Sequence, residues 1–294
     1  MEWKNVNYSV HGYTWDIWFT SGQNGFIIGD HLWKTTDGGK YWQVVPNTSV
    51  VDNFFYLFFT DPKNGFAYSL TDLAATVDSG STWVVKPLAT DSVLAVFFTD
   101  AAHGFYSDRS GGSLWMTTDS GNNWKSILKN TNSPDTYYPF FLNADTGYVA
   151  TRQGFFYSTT NAGLSWNSNF QPLMSYGTNA VRNSYNQLLF LDNNTGFYAF
   201  SYGVLSTNDG GKTWNSSLTN TNTSPSLINY IRFRDRNTGY YKTDNAIYKT
   251  SDGGKTWNLS CRVGDGNQLN GLSISDAHTT WACTQHSEIL NLQE

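Results

Sequence analysis

The segment TSDGGKTW at residues 250–257 returns five more times in this chain. The other copies are TTDGGKYW at 35–42, TVDSGSTW at 76–83, TTDSGNNW at 117–124, TTNAGLSW at 159–166 and TNDGGKTW at 207–214. The closing tryptophans, Trp42, Trp83, Trp124, Trp166, Trp214 and Trp257, lie 41, 41, 42, 48 and 43 residues apart. A period of this length restricts the chain to repeat architectures, in which each unit buries its apolar face against the next.

A second landmark stands about 18 residues before each tryptophan: an aromatic, two residues later Asp or a like residue, then glycine and another aromatic. It runs Phe19/Gly25/Phe26, Phe59/Asp61/Gly65/Phe66, Phe98/Asp100/Gly104/Phe105, Phe141/Asn143/Gly147/Tyr148, Phe190/Asp192/Gly196/Phe197 and Phe233/Asp235/Gly239/Tyr240. A seventh, degenerate copy is Ile274/Asp276/Thr280/Trp281. Between landmarks, short β-branched and aromatic runs end in Gly, Asn or Asp, which reads as four strands per unit. In the second unit these are a (54–59), b (65–68), c (73–76) and d (83–85).

Units of about 40–45 residues with four strands predict the blades of a β-propeller. Seven landmarks predict seven blades in one domain over residues 1–294. The seventh unit supplies a (269–274), b (280–283) and c (288–292), but the chain then ends. The N-terminal Glu2-Trp3-Lys4-Asn5-Val6 resembles the d strands, and Trp3 falls 40 residues after Trp257 when counted through the chain's end. The expectation is that this segment completes the last blade and leaves no unpaired inner edge.

Composition agrees with many short strands, at 17% aromatic and 14% charged residues with 26 glycines. Net charge is −5, and with basic residues scattered along the chain a nucleic-acid partner is not expected. No apolar run is long enough to span a membrane as a helix. No cofactor or metal is expected: five dispersed histidines and two cysteines do not make a metal motif. His31 and His286 fall on adjacent blades, so a shared metal is conceivable, but two histidines rarely suffice without carboxylates close by. Cys261 and Cys283 are either two thiols or a disulfide joining neighbouring repeats.

Within the repeated segment, the third residue (Asp37, Asp78, Asp119, Asn161, Asp209 or Asp252) accepts backbone N–H bonds of its own turn. The glycine two residues on supplies a conformation closed to other residues, and the tryptophan opens strand d with its ring buried between sheets. A catalytic role fails on symmetry, because a reaction needs one unlike pair of groups and these acids sit on separate blades.

S/T-x-D-x-G-x-x-W resembles the Asp-box, or BNR repeat, of sialidases, xyloglucan hydrolases, the sortilin receptor domain and the photosystem II assembly and stability factors. The second landmark joined to GGKTW most resembles the photosystem II stability-factor type. That resemblance implies a seven-bladed, non-catalytic propeller that binds protein. Related propellers occur as envelope or secreted proteins, which implies a secreted, periplasmic or cell-surface bacterial protein whose signal peptide this chain lacks.

In propellers the b–c and d–a loops share a face remote from the boxes. The expected ligand-binding face therefore carries Asp30, His31, Asp72, Asp108, Arg109, Arg152, Tyr202, Asp244 and His286, with Tyr176 and Arg182 from the long insertion at 167–186 and Tyr137 and Tyr138 on the rim. Partners expected there are protein or glycan, bound by a monomer. The alternative is a glycoside hydrolase, sialidase-like or active on β-glucans. Arg109, Arg152 and Arg182 could form a carboxylate-gripping cluster, although the sialidase F-R-I-P segment is absent. Hydrolysis would need two carboxylates about 5–10 Å apart, and no spacing singles out a pair among Asp30, Asp72, Asp108 and Asp244.

Overall fold

The computed structural model describes residues 2–6, 9–52, 54–90, 92–108, 112–129, 136–151, 154–170, 187–200, 203–219, 227–264, 266–276 and 278–294. Seven antiparallel sheets of four strands each make a seven-bladed, all-β propeller. The one helical element among the described residues is a 3-10 turn at Ser49–Val51.

The chain divides into two compact units. One comprises Met1–Pro87, Lys242–Tyr248 and Leu259–Glu294, and the other Leu88–Tyr241 and Lys249–Asn258. The first unit contains blades one, two and seven; the second contains blades three, four and five; the sixth sheet has residues in each.

In blade two the strands are Tyr56–Phe59, Gly65–Tyr68, Leu73–Thr76 and Val84–Lys86, close to the spans expected from sequence. Blade seven has Leu269–Ile274, Thr279–Thr284 and Ile289–Gln293, and its fourth strand is Lys4–Asn5. Lys4 pairs with Asn291 and Asn5 with Leu290, so the N-terminal strand completes the C-terminal blade as expected. Trp3 adds a bond from its indole N–H to Ser260 Oγ at 2.9 Å.

The second landmark builds the a–b turn and the blade interface together. Asp61 accepts the N–H groups of Lys63 and Asn64 at 2.8 and 3.0 Å, and Asp192 does the same for Asn194 and Thr195. In blade one Ser21 takes this role through its hydroxyl. The glycine that follows is required by contact, because a Cβ on Gly65 would stand 2.6 Å from the Phe59 ring and one on Gly147 would stand 2.3 Å from Phe141.

The same phenylalanine stacks on the preceding blade's aromatic. Phe59 lies on Phe26 at 4.5 Å, Phe190 on Tyr148 at 3.7 Å and Phe233 on Phe197 at 3.9 Å. It also receives the motif tryptophan edge-on, at interplanar angles of 82° for Phe59–Trp83 and 84° for Phe190–Trp214. The edge-on arrangement suits the ring quadrupoles. Phe19 takes Trp42 edge-on and stacks on Trp281 at 4.3 Å, so the degenerate seventh landmark keeps its aromatic role.

The repeated turn is closed by side chains. Thr207 Oγ1 donates to Asp209 Oδ1 at 2.8 Å while accepting the Gly211 N–H at 2.9 Å. Asp209 in turn accepts the Thr213 N–H at 2.9 Å and its hydroxyl at 2.6 Å. Asn161 reproduces the arrangement with one bond reversed, its Nδ2 donating to Ser165 Oγ at 2.9 Å.

Two residues of each turn have positive φ, but only the second is always glycine: Ser79, Ser120 and Ala162 occupy the first position near +60°. At the second position a Cβ would collide with a side chain of the preceding blade in several of these turns, 2.6 Å from Phe26 for Gly80, 2.6 Å from Ile127 for Gly163 and 2.2 Å from Phe156 for Gly211. One expectation is corrected. Strand d begins one residue after the tryptophan, and Trp124, Trp166, Trp214 and Trp257 are half-buried, unlike Trp42 and Trp83.

The turn bonds hold the Asp119, Asp209 and Asp252 carboxyls down at about 2. The side-chain bond from Asn123, Thr213 or Thr256 contributes most, and the backbone N–H of the same residue next. A depressed folded-state pKa stabilises the fold above the unfolded value near 3.8 and loses that contribution as pH falls toward 2. Melting temperature should therefore drop through that window. Asp209→Asn should lower neutral-pH melting and flatten its share of the drop, because the charged acceptor is lost at every pH above the window; an unaltered acid profile would contradict this role.

Candidate functional site

In the first unit the d–a and b–c loops meet. The Tyr13 N–H donates to Asp30 Oδ2 at 3.0 Å, and the Tyr13 carbonyl accepts the Asp30 N–H at 3.1 Å. Ser287 Oγ donates to the Gly12 carbonyl, fixing the same corner to blade seven. Gly12 has φ +88°, and a Cβ there would stand 2.5 Å from Asp30 Oδ2, so the corner requires glycine. Blade two's entry segment joins through His31 Nδ1, 3.9 Å from Asp52.

An aromatic strip follows the rim. The His286 and Tyr13 rings are 5.7 Å apart, Tyr13 stacks with Trp15 at 6.1 Å, and Trp15 meets Phe55 edge-on at 5.4 Å. Beside it an open cavity of about 640 Å³ is lined by Asn5, Val10, His11, Gly12, Tyr13, His286, Ser287 and Glu288.

Each of the four candidate catalytic carboxylates is engaged within its own blade or with an adjacent loop. Asp30 binds Tyr13; Asp72 accepts the Ser69 and Thr71 hydroxyls; Asp108 accepts the Trp115 indole N–H at 3.3 Å; Asp244 accepts from Gln268 Nε2 at 3.2 Å. Among the described residues, the carboxyls with displaced pKa values all lie in the a–b turns and repeated turns and are displaced downward. A glycosidase general acid needs the opposite displacement.

Tyr137 and Tyr138 are corrected. They lie within the strand Tyr137–Phe141 at 2% and 5% exposure, where they belong to the core rather than a rim. Their aromatic rings fill the inter-blade layer that each strand a supplies. Arg109, Arg152, Tyr176, Arg182 and Tyr202 lie outside the described residues. Among the described residues no group of three His, Cys, Asp or Glu side chains is placed to hold a metal. Cys261 and Cys283 are free thiols.

Three features escaped the sequence reading. Tyr13, Trp15 and Phe55 form the rim, a pattern hidden because Phe55 reaches it from the next blade, 40 residues further along the chain. Arg232, Arg234 and Arg236 alternate along blade six, where R-x-R-x-R was the available signal. Arg232 lies over the Tyr230 ring, Arg234 over Tyr240, and Arg236 pairs with Asp192 at 2.8 Å. The third is Lys242, buried on strand b of blade six with Nζ donating to the Leu269 carbonyl at 3.0 Å. Burial pulls its pKa down to about 8, against the attraction of Asp244, Cys283 and Asp16. Cys283, also buried, is pushed up to about 12.

A family profile described as "Photosynthesis system II assembly factor YCF48" matches residues 44–203, more than half of the chain. This chain belongs to that family. The YCF48 match runs from strand d of blade one to the start of strand c in blade five. A comparison with curated proteins finds no match.

Among solved structures, YCF48 bound to D1 peptide is 16% identical, with a TM-score of 0.71 over 100% of this chain and 96% of that one. YCF48 from Cyanidioschyzon merolae is 15% identical, with a TM-score of 0.70 over 100% and 99%. A GH74 xyloglucanase from Xanthomonas campestris is 10% identical, with a TM-score of 0.69 over 99% of this chain and 53% of that one. At these identities the structural likenesses speak for the fold, and YCF48 membership rests on the family match.

Proposed function

We propose that this chain is a non-catalytic binding propeller that holds a protein segment during photosystem II assembly. The match to the YCF48 family over residues 44–203 carries this reading. The solved YCF48 bound to D1 peptide supports a peptide as the ligand class. Carboxylates engaged in closing loops, such as Asp30 on Tyr13 and Asp108 on Trp115, support a structural rather than catalytic use of these acids. The eight-residue turns are read as Asp-boxes, structural devices apart from the ligand, and the joined b–c and d–a loops as the binding face of a monomer. Placement in a secreted or envelope compartment rests on resemblance alone.

Calorimetric titration with D1 peptide and a scrambled control tests the reading. Saturable binding of the first alone is expected, with no turnover of sialosides or xyloglucan. Equal heats from both peptides, or hydrolysis abolished by Asp30→Asn, Asp72→Asn, Asp108→Asn or Asp244→Asn, would overturn it.

A further inference from the structure

We infer that the cavity between the N-terminal strand, the Gly12 corner and blade seven receives a lysine or arginine side chain of the bound protein segment. This rests on the binding-propeller reading and specifies the chemistry of its ligand.

The cavity is built on a fixed frame. Gly12 and Tyr13 are held by Ser287 on one side and Asp30 on the other. Opposite, Glu288 Oε2 accepts from Asn267 Nδ2 at 2.6 Å, and the Glu288 N–H donates to Thr284 Oγ1 at 3.1 Å. The corner therefore presents one carboxylate in the wall and a second, Asp30, at the edge, without needing to rearrange on binding.

Between them stands Tyr13, 45% exposed although it is a large ring in a propeller whose aromatics are mostly buried. A ring beside carboxylates suits a long cationic side chain. The methylene stem lies along Tyr13, the charge is attracted to its ring face, and the head reaches the acids. No lysine or arginine lines this cavity to compete for them, and the net charge of −5 favours approach of a basic segment. The continuing strip through Trp15 and Phe55 gives the rest of the segment an apolar track along the rim.

A phage-displayed library of random peptides, selected on the whole protein, provides the test. Enriched peptides should carry Lys or Arg at a fixed position. Replacing that residue by Gln should weaken binding about tenfold, as should Glu288→Gln, the loss expected for one charge-assisted contact. Glu288→Lys, checked for an unchanged melting curve, should shift enrichment to acidic peptides. Enriched peptides lacking a cationic position, or indifferent to Glu288→Gln and Tyr13→Ser, would overturn the inference and leave the binding-propeller reading standing. No peptide enriched at all would overturn both. A glycan retained by the wild-type protein and lost in Tyr13→Ser, with no peptide retained, would assign the cavity to sugar instead.

Discussion

Phe190→Ala is expected to destabilise the protein by about 3–5 kcal/mol, at the upper end for core truncations. The ring is 2% exposed and touches three kinds of neighbour. It stacks on Tyr148 of the preceding blade at 3.7 Å and 8°, receives Trp214 edge-on at 6.1 Å, and covers Gly196. Removing it opens a cavity at a blade junction, where the surrounding strands are pinned by their ladders and cannot collapse inward. Leu259→Ala, on a side chain 54% exposed, should by contrast change stability by less than about 0.5 kcal/mol. Denaturant melts of both variants measure the difference. A loss below about 1 kcal/mol for Phe190→Ala would show that these aromatic stacks contribute little to cohesion.

These stacks explain why so much of the fold was legible. Each piece of the second landmark is dictated by a contact that recurs: Asp for two backbone N–H groups, Gly for the ring pressed on it, and the phenylalanine for two partners at once. A constraint met six times leaves a periodic trace that a single sequence displays, and the strand spans follow from it. Substitutions within the repeat were readable by the same logic. Asn161 keeps the acceptor that Asp supplies, and Trp281 keeps the stacking surface that Phe supplies elsewhere.

The candidate site lacks such repetition, so its legibility was partial. The loop positions of Asp30, His31 and His286 followed from the propeller phase, whereas their partners did not. Tyr13 meets His286 across the point where the two chain ends converge, and no local pattern marks that encounter. Tyr137 and Tyr138 failed for the opposite reason. A pair of tyrosines after a polar stretch reads as a loop rim, yet the strand Tyr137–Phe141 sends them to opposite faces and both faces are covered, Tyr137 packing with Phe105 and Leu114 and Tyr138 with Tyr148 and Leu188. The arginines of blade six look scattered by composition, and only Arg232 lies in the strand Tyr230–Phe233, while Arg234 and Arg236 follow it in the a–b turn.

Deleting residues 1–6 should cost about 3–4 kcal/mol and make the protein prone to association. The deletion removes the pairing of Lys4 with Asn291 and of Asn5 with Leu290, the bond from the Val6 N–H to the Ile289 carbonyl at 2.8 Å, and the Trp3 anchor on Ser260. Each net hydrogen bond contributes about 1 kcal/mol. The greater consequence is that Ile289–Gln293, now an inner strand with buried Ile289, Leu290 and Leu292, becomes an open edge. An unpaired apolar edge templates further pairing, so concentration-dependent oligomers should accompany a melting point lowered by several degrees. Trp3→Phe separates the two effects, because it loses the indole bond but keeps the strand, and its melting curve should stay close to that of the parent. A truncated protein that melts unchanged and remains monodisperse would mean that the seventh blade is stable as a three-stranded sheet. In that case the N-terminal strand would serve mainly to place Asn5 in the wall of the cavity, and the deletion should then show its effect in the peptide selection rather than in the melt.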